Sequence, residues 1–84
     1  MRKVTVYDTE LCLDCWSVHK IFDKREIPYE HVIVPEGSDA HEQLTQRTGM
    51  ETLPQVFIGS LLIGGYEEIA VAAEGGMLED LLID

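Results

Sequence analysis

Cys12 and Cys15 are the only cysteines in the chain, and they stand in one short run, Cys12-Leu13-Asp14-Cys15. A disulfide that staples a small secreted fold joins distant segments, whereas this pair joins neighbours, so a stapling role does not fit. The spacing leaves two chemistries, a redox dithiol or half of a metal site. A structural zinc site takes four ligands. There is no second CxxC, and although Cys15 and His19 stand four positions apart on one prospective helical face, no fourth ligand presents itself. Redox chemistry is the favoured reading, and no metal is expected.

The elements around the pair must make one thiol reactive. Lys3 to Tyr7 alternates polar and apolar residues and stops at Asp8-Thr9, which predicts a short strand. From Leu13 to Glu26 the residues Leu13, Trp16, Ile21 and Phe22 outline a ragged helical face, with Trp16 assigned to core and rim packing and Pro28 ending the helix. Cys12 then falls at the helix start, where unpaired N–H groups and the positive end of the dipole stabilise a thiolate, the nucleophilic form. Cys15 lies one turn on, where a resolving thiol belongs. Asp14 works against this activation. Two charges about 7 Å apart interact by roughly 0.6 kcal/mol at water's dielectric and by roughly 2.4 kcal/mol at an effective dielectric of 20, and the helix terminus outweighs that.

Downstream, Tyr29 to Val34 reads as a second strand, and Ser38 or Asp39 caps a helix that runs to Gly49. Gln55–Ile58 and Leu61–Ile63 flank Gly59-Ser60 as a hairpin. A helix over Tyr66 to Glu74 follows Gly64-Gly65, and Met77 to Ile83 forms a last short helical piece. The order β-α-β-α-β-β-α begins with a parallel crossover and continues with an antiparallel hairpin, so the sheet is mixed and the class is a small α/β sandwich.

Length and charge narrow the functions. At 84 residues there is room for one domain, 1–84, and no repeat or linker divides it. The longest apolar run, Leu61-Leu62-Ile63, is far too short to cross a bilayer, and Asp8 interrupts any leader-like stretch, so the expected location is the cytoplasm. Six Lys and Arg stand against sixteen Asp and Glu, a formal charge of −10, which excludes nucleic acid and anionic membranes as expected partners.

The chain resembles the glutaredoxins, within the thioredoxin-like fold, over essentially its whole length. Four features carry the resemblance: a strand ending in Tyr7 five residues before Cys12, the CxxC itself, Thr52-Leu53-Pro54, and Gly64-Gly65-Tyr66-Glu67-Glu68. The resemblance implies a three-layer sandwich with a four-stranded sheet, Cys12 as nucleophile, Cys15 as resolving thiol, and Pro54 as a cis proline facing them. It further implies glutathione as reductant, bound by a monomer. Leu53 would offer main-chain groups to it, with Thr52 beside it, and the helix start at Gly65, Tyr66, Glu67 and Glu68 would hold its γ-glutamyl carboxylate. Leu13 and Asp14 complete the expected contact set. His41 stands at the spacing from Pro54 where relatives place a glutamine or arginine for the glycyl carboxylate. His19 and His31 are given no role.

Departures from the family pattern matter as well. Leu13-Asp14 replaces the usual Pro-Tyr, glutamates replace the aspartates after Gly-Gly, and Asp8, Thr9 and Glu10 fill a stretch where relatives carry a basic residue. The expected activity is reduction of protein disulfides, with ribonucleotide reductase among the candidate substrates, or of glutathione mixed disulfides. Two alternatives stand beside it. NrdH-type redoxins share the pattern but take electrons from thioredoxin reductase, which the acidic surface favours. Other glutaredoxins carry an iron–sulfur cluster at a dimer interface, against which the retained Cys15 argues.

Overall fold

Val4 and Val6 alternate with Thr5 and Tyr7, and that period of two builds β1 (Val4–Asp8), whose Val4, Val6 and Asp8 are all buried. The computed structural model describes residues 1–83, so Asp84 of the expected domain lies outside the described residues. After β1 come α1 (Leu13–Lys24), β2 (Glu30–Ile33), α2 (Asp39–Thr48), β3 (Gln55–Ile58), β4 (Leu61–Gly64), α3 (Tyr66–Glu74) and α4 (Met77–Leu82). The sheet order is β2-β1-β3-β4. β1 runs parallel to β2 and antiparallel to β3, and β3 runs antiparallel to β4, which is the expected mixed sheet. This is the thioredoxin-like architecture.

The core forms between one sheet face and the helices α1, α3 and α4. Val4, Val6, Val56 and Ile58 from the strands meet Val18 and Phe22 of α1, Ile69 and Ala72 of α3, and Leu78 and Leu82 of α4. On the opposite face Tyr7 and Phe57 pack edge to face with ring centroids 5.6 Å apart. Leu44 anchors α2 outside the main cluster. Ser38 caps that helix by accepting from the His41 N–H at 3.2 Å, and Gly49 closes it in the left-handed region at φ 77°.

α1 differs from expectation in phase and in length. Its buried residues are Cys15, Val18 and Phe22, at positions i, i+3 and i+7, while Leu13 and Trp16 are exposed. Turning Cys15 inward sets this phase and swings Leu13 and Trp16 to the rim. Trp16 is therefore not a core residue, and Lys20 Nζ lies 4.0 Å from its ring centroid. The helix also stops at Lys24 rather than Glu26. Glu26 adopts φ 56°, its N–H donates to the Asp23 carbonyl at 3.1 Å, and the Ile27 N–H donates to the Phe22 carbonyl at 3.0 Å. These two bonds form a Schellman closure, and Ile27 packs with Phe22 in the core beneath it. Pro28 follows a helix that has already ended.

Candidate functional site

Cys12 is the N-cap of α1 in extended conformation, φ −119° and ψ 107°. Its Sγ accepts a hydrogen bond from the Cys15 N–H at 3.1 Å, so sulfur takes the capping role that a serine or aspartate oxygen usually fills. A thiolate formed there gains this donor and the positive end of the helix. Cys12 and Cys15 are joined as a disulfide with their Cα atoms 5.2 Å apart. The two sulfurs sit in different surroundings. Cys15 is 3% exposed and packs inward, whereas Cys12 is partly exposed at the surface, so an incoming group meets Cys12 first. The residue before it, Leu11, is fully exposed and held at φ 53°, uncommon for a side chain other than glycine.

The opposing wall is the loop that enters β3. The Leu53–Pro54 peptide is cis, and the Leu53 carbonyl oxygen lies 3.8 Å from Cys12 Sγ. Two side chains hold this loop. Gln55, fully buried at the head of β3, donates from Nε2 to the Met50 carbonyl at 2.9 Å and to the Thr52 carbonyl at 3.1 Å. His41 Nδ1 accepts from the Gly37 N–H at 2.9 Å, and its Nε2 lies 2.6 Å from the Glu51 carbonyl oxygen. Because a carbonyl only accepts, His41 carries its proton on Nε2 and is neutral in this arrangement. Both ring nitrogens are thus engaged by backbone.

The third wall is the start of α3. A Cβ on Gly64 would come within 2.6 Å of Glu68 Oε1, and one on Gly65 within 3.2 Å of the Pro54 carbonyl oxygen. The glycine pair therefore lets the helix start close directly on the proline loop. The Gly65 N–H donates to Glu68 Oε1 at 2.7 Å. Glu68 thus caps its own helix, while the first-turn N–H groups that follow have no acceptor within the helix.

These walls enclose a cavity of about 350 Å³ lined by Asp14, Thr52, Leu53, Pro54, Gly65, Tyr66, Glu67 and Glu68, together with Met50. All but Met50 were expected from the sequence. Leu13 stands apart from that group, in a second cavity of about 500 Å³ that it shares with Cys12, Cys15, Trp16 and Ile33. His41 lines a third, of about 540 Å³, beside Thr52 and Leu53.

Four polar residues near the site fall outside the contact set that the sequence predicts. Gln55 heads β3 and holds the proline loop. Asp8, His19 and His31 converge on the second cavity from β1, α1 and β2. The alternation Val4, Val6, Asp8 was the available signal for the first of these, since it turns the carboxylate toward α1. Among the described residues, no helix is long and apolar enough to cross a membrane.

The glutaredoxin family model matches residues 4–63. Glutaredoxin 3 of Escherichia coli K12 is 27% identical over 78 residues, covering 92% of this chain and 94% of its own. A glutaredoxin of Ricinus communis is 33% identical over 84 residues, covering 96% of this chain and 82% of its own. The crystal structure of a buckwheat glutaredoxin–glutathione complex superposes with a TM-score of 0.85 at 28% identity, over 96% of this chain and 76% of that one.

Proposed function

The chain belongs to the glutaredoxin family and is a thiol–disulfide oxidoreductase, and on that premise we propose that glutathione supplies its electrons. One observation carries the proposal. The cavity beside the Leu53 carbonyl and Cys12 is made from the residues that the family pattern assigns to glutathione. Its chemistry also suits the tripeptide. The Leu53 main chain can pair with the cysteinyl unit in the manner of an added strand, and the free N–H groups at the start of α3 suit the γ-glutamyl carboxylate.

In the forward direction the Cys12 thiolate attacks one sulfur of the substrate disulfide. A Cys12–substrate disulfide forms, and the other substrate sulfur leaves as thiolate. Cys15, deprotonated, then attacks Cys12 Sγ, closing the internal disulfide and releasing the second substrate thiolate. Two glutathione thiolates reverse the closure. The first attacks Cys12 Sγ and frees Cys15; the second attacks the glutathionyl sulfur, giving glutathione disulfide and the Cys12 thiolate. For a glutathione mixed disulfide only Cys12 is needed.

Turnover with glutathione and glutathione reductase, compared with thioredoxin and thioredoxin reductase, tests the electron source. Faster turnover with glutathione is expected. Turnover supported by the thioredoxin system alone would overturn the assignment and place the chain with the NrdH-type redoxins, a reading that the charge of −10 favours. Protein substrates, ribonucleotide reductase included, can be ranked in the same assay.

A further inference from the structure

We propose that Asp8, His19 and His31 form a binding site for a divalent transition-metal cation of the zinc class, set in the cavity that the dithiol also lines. His19 Nε2 lies 2.5 Å from Asp8 Oδ2, and His31 Nδ1 lies 3.6 Å from the same oxygen. One ligand atom from each of the three residues falls within 4.8 Å of the others. Donors at about 2.0–2.2 Å from a tetrahedral ion stand about 3.3 Å apart, so His31 is already at ligand spacing from Asp8, and His19 must open from Asp8 by under about 1 Å. The two imidazole nitrogens, within 4.8 Å of each other, must close by up to about 1.5 Å.

Asp8 supplies the independent observation. Its side chain is buried, and Oδ1 has no hydrogen-bond partner among the described residues. A carboxylate placed there only to pair with His19 leaves that oxygen desolvated and unsatisfied, whereas a cation bound at the carboxylate gives its charge a counterpart. The site is also accessible. β2 is an edge strand with all four residues exposed, and the groove between it and α1 opens to solvent past His31 and Ile33.

The donor set selects the ion. Two imidazole nitrogens and one carboxylate suit zinc and its neighbours, while calcium and magnesium take oxygen ligands. Two neutral imidazoles and one carboxylate carry a charge of −1, and three protein ligands leave a fourth position for water. On binding, the ion takes the Nε2 lone pair of His19 and the Asp8 oxygen that it faces, and the single ring proton of the neutral imidazole sits on Nδ1. Cys15 stands one helical turn before His19 and lines the same cavity, so the ion would sit beside the resolving sulfur.

The test uses untagged, fully oxidised protein, in which the disulfide keeps both sulfurs out of coordination. Calorimetric titration with zinc chloride is expected to give one saturable site of micromolar or tighter affinity, with no comparable heat from magnesium or calcium. In NMR spectra the His19 and His31 ring signals should move, while His41, whose nitrogens are both occupied, stays in place. His31→Ala removes an exposed side chain and leaves the core intact, and it should weaken zinc at least tenfold, as should His19→Gln. Absence of saturable binding at submillimolar zinc overturns the proposal, and so does binding that leaves His31 unmoved and is unaffected by His31→Ala. Glutathione-dependent turnover of the wild-type protein is measured separately, so either idea can fail without the other.

Discussion

Cys12 and Cys15 differ in exposure and in hydrogen bonding, and their roles should separate on substitution. Cys12→Ser is expected to abolish reduction of every disulfide. Cys15→Ser is expected to keep activity on glutathione mixed disulfides, because that route bypasses the buried thiol. The reverse pattern would show that the nucleophile is misassigned. Asp14 is exposed in the first turn of α1, directly between the two cysteines. Its charge opposes a thiolate at Cys12, so Asp14→Asn should lower the pKa of that thiol. Thiolate absorbance followed against pH in the reduced protein measures this; an unchanged value would mean that solvent screens the carboxylate completely, and a raised one that Asp14 favours the thiolate instead of opposing it.

At the scale of elements, α1, α2 and α3 each end on a left-handed residue, Glu26, Gly49 and Gly76, and only the first is not glycine. α2 closes on Gly49, while α1 closes with Glu26 in the left-handed region at φ 56°. A side chain pays about 1–2 kcal/mol for that conformation, and glycine avoids it while losing about 0.5–1 kcal/mol in chain entropy. Glu26→Gly should therefore stabilise the protein by about 0.5–1 kcal/mol. A Cβ on Gly49 would touch nothing within 4 Å, so the cost of Gly49→Ala is conformational alone, about 1 kcal/mol. For a domain of this size, 1 kcal/mol moves the melting temperature by about 4–8 °C, which thermal denaturation resolves easily. A Glu26→Gly variant that melts lower would show that the Glu26 side chain makes a stronger contact than its backbone strain costs.

The whole molecule carries −10, and glutathione is itself an anion. Long-range repulsion should therefore limit encounter, and salt should relieve it, because the Debye length falls to about 10 Å at 0.1 M. kcat/KM for glutathione is expected to hold or rise between low and moderate ionic strength, and Thr9→Lys should raise it further at low salt. Rates that fall with salt would show that local attraction at the start of α3 already outweighs the global charge.

Local physics made much of this protein legible in its sequence. Alternation in β1, the Ser38 and Gly49 caps of α2, and the glycine-marked hairpin and α3 boundaries each act over a few residues, and those elements agree closely with expectation. The dithiol and the cavity proposed for glutathione were legible because their residues lie in contiguous motifs, Cys12–Cys15, Thr52–Pro54 and Gly64–Glu68, which the fold brings together as blocks. Tertiary packing decided the rest. The phase of α1 follows from turning Cys15 rather than Trp16 toward the sheet, and its end follows from Ile27 reaching back to Phe22. His41 and Gln55 hold the proline loop through bonds to carbonyls that no local pattern announces. Asp8, His19 and His31 meet only because the parallel crossover lays β2 beside β1, with His31 opposite Val6, and packs α1 across that face. A cluster drawn from three elements leaves no periodic trace in the chain, so only the folded protein could reveal it.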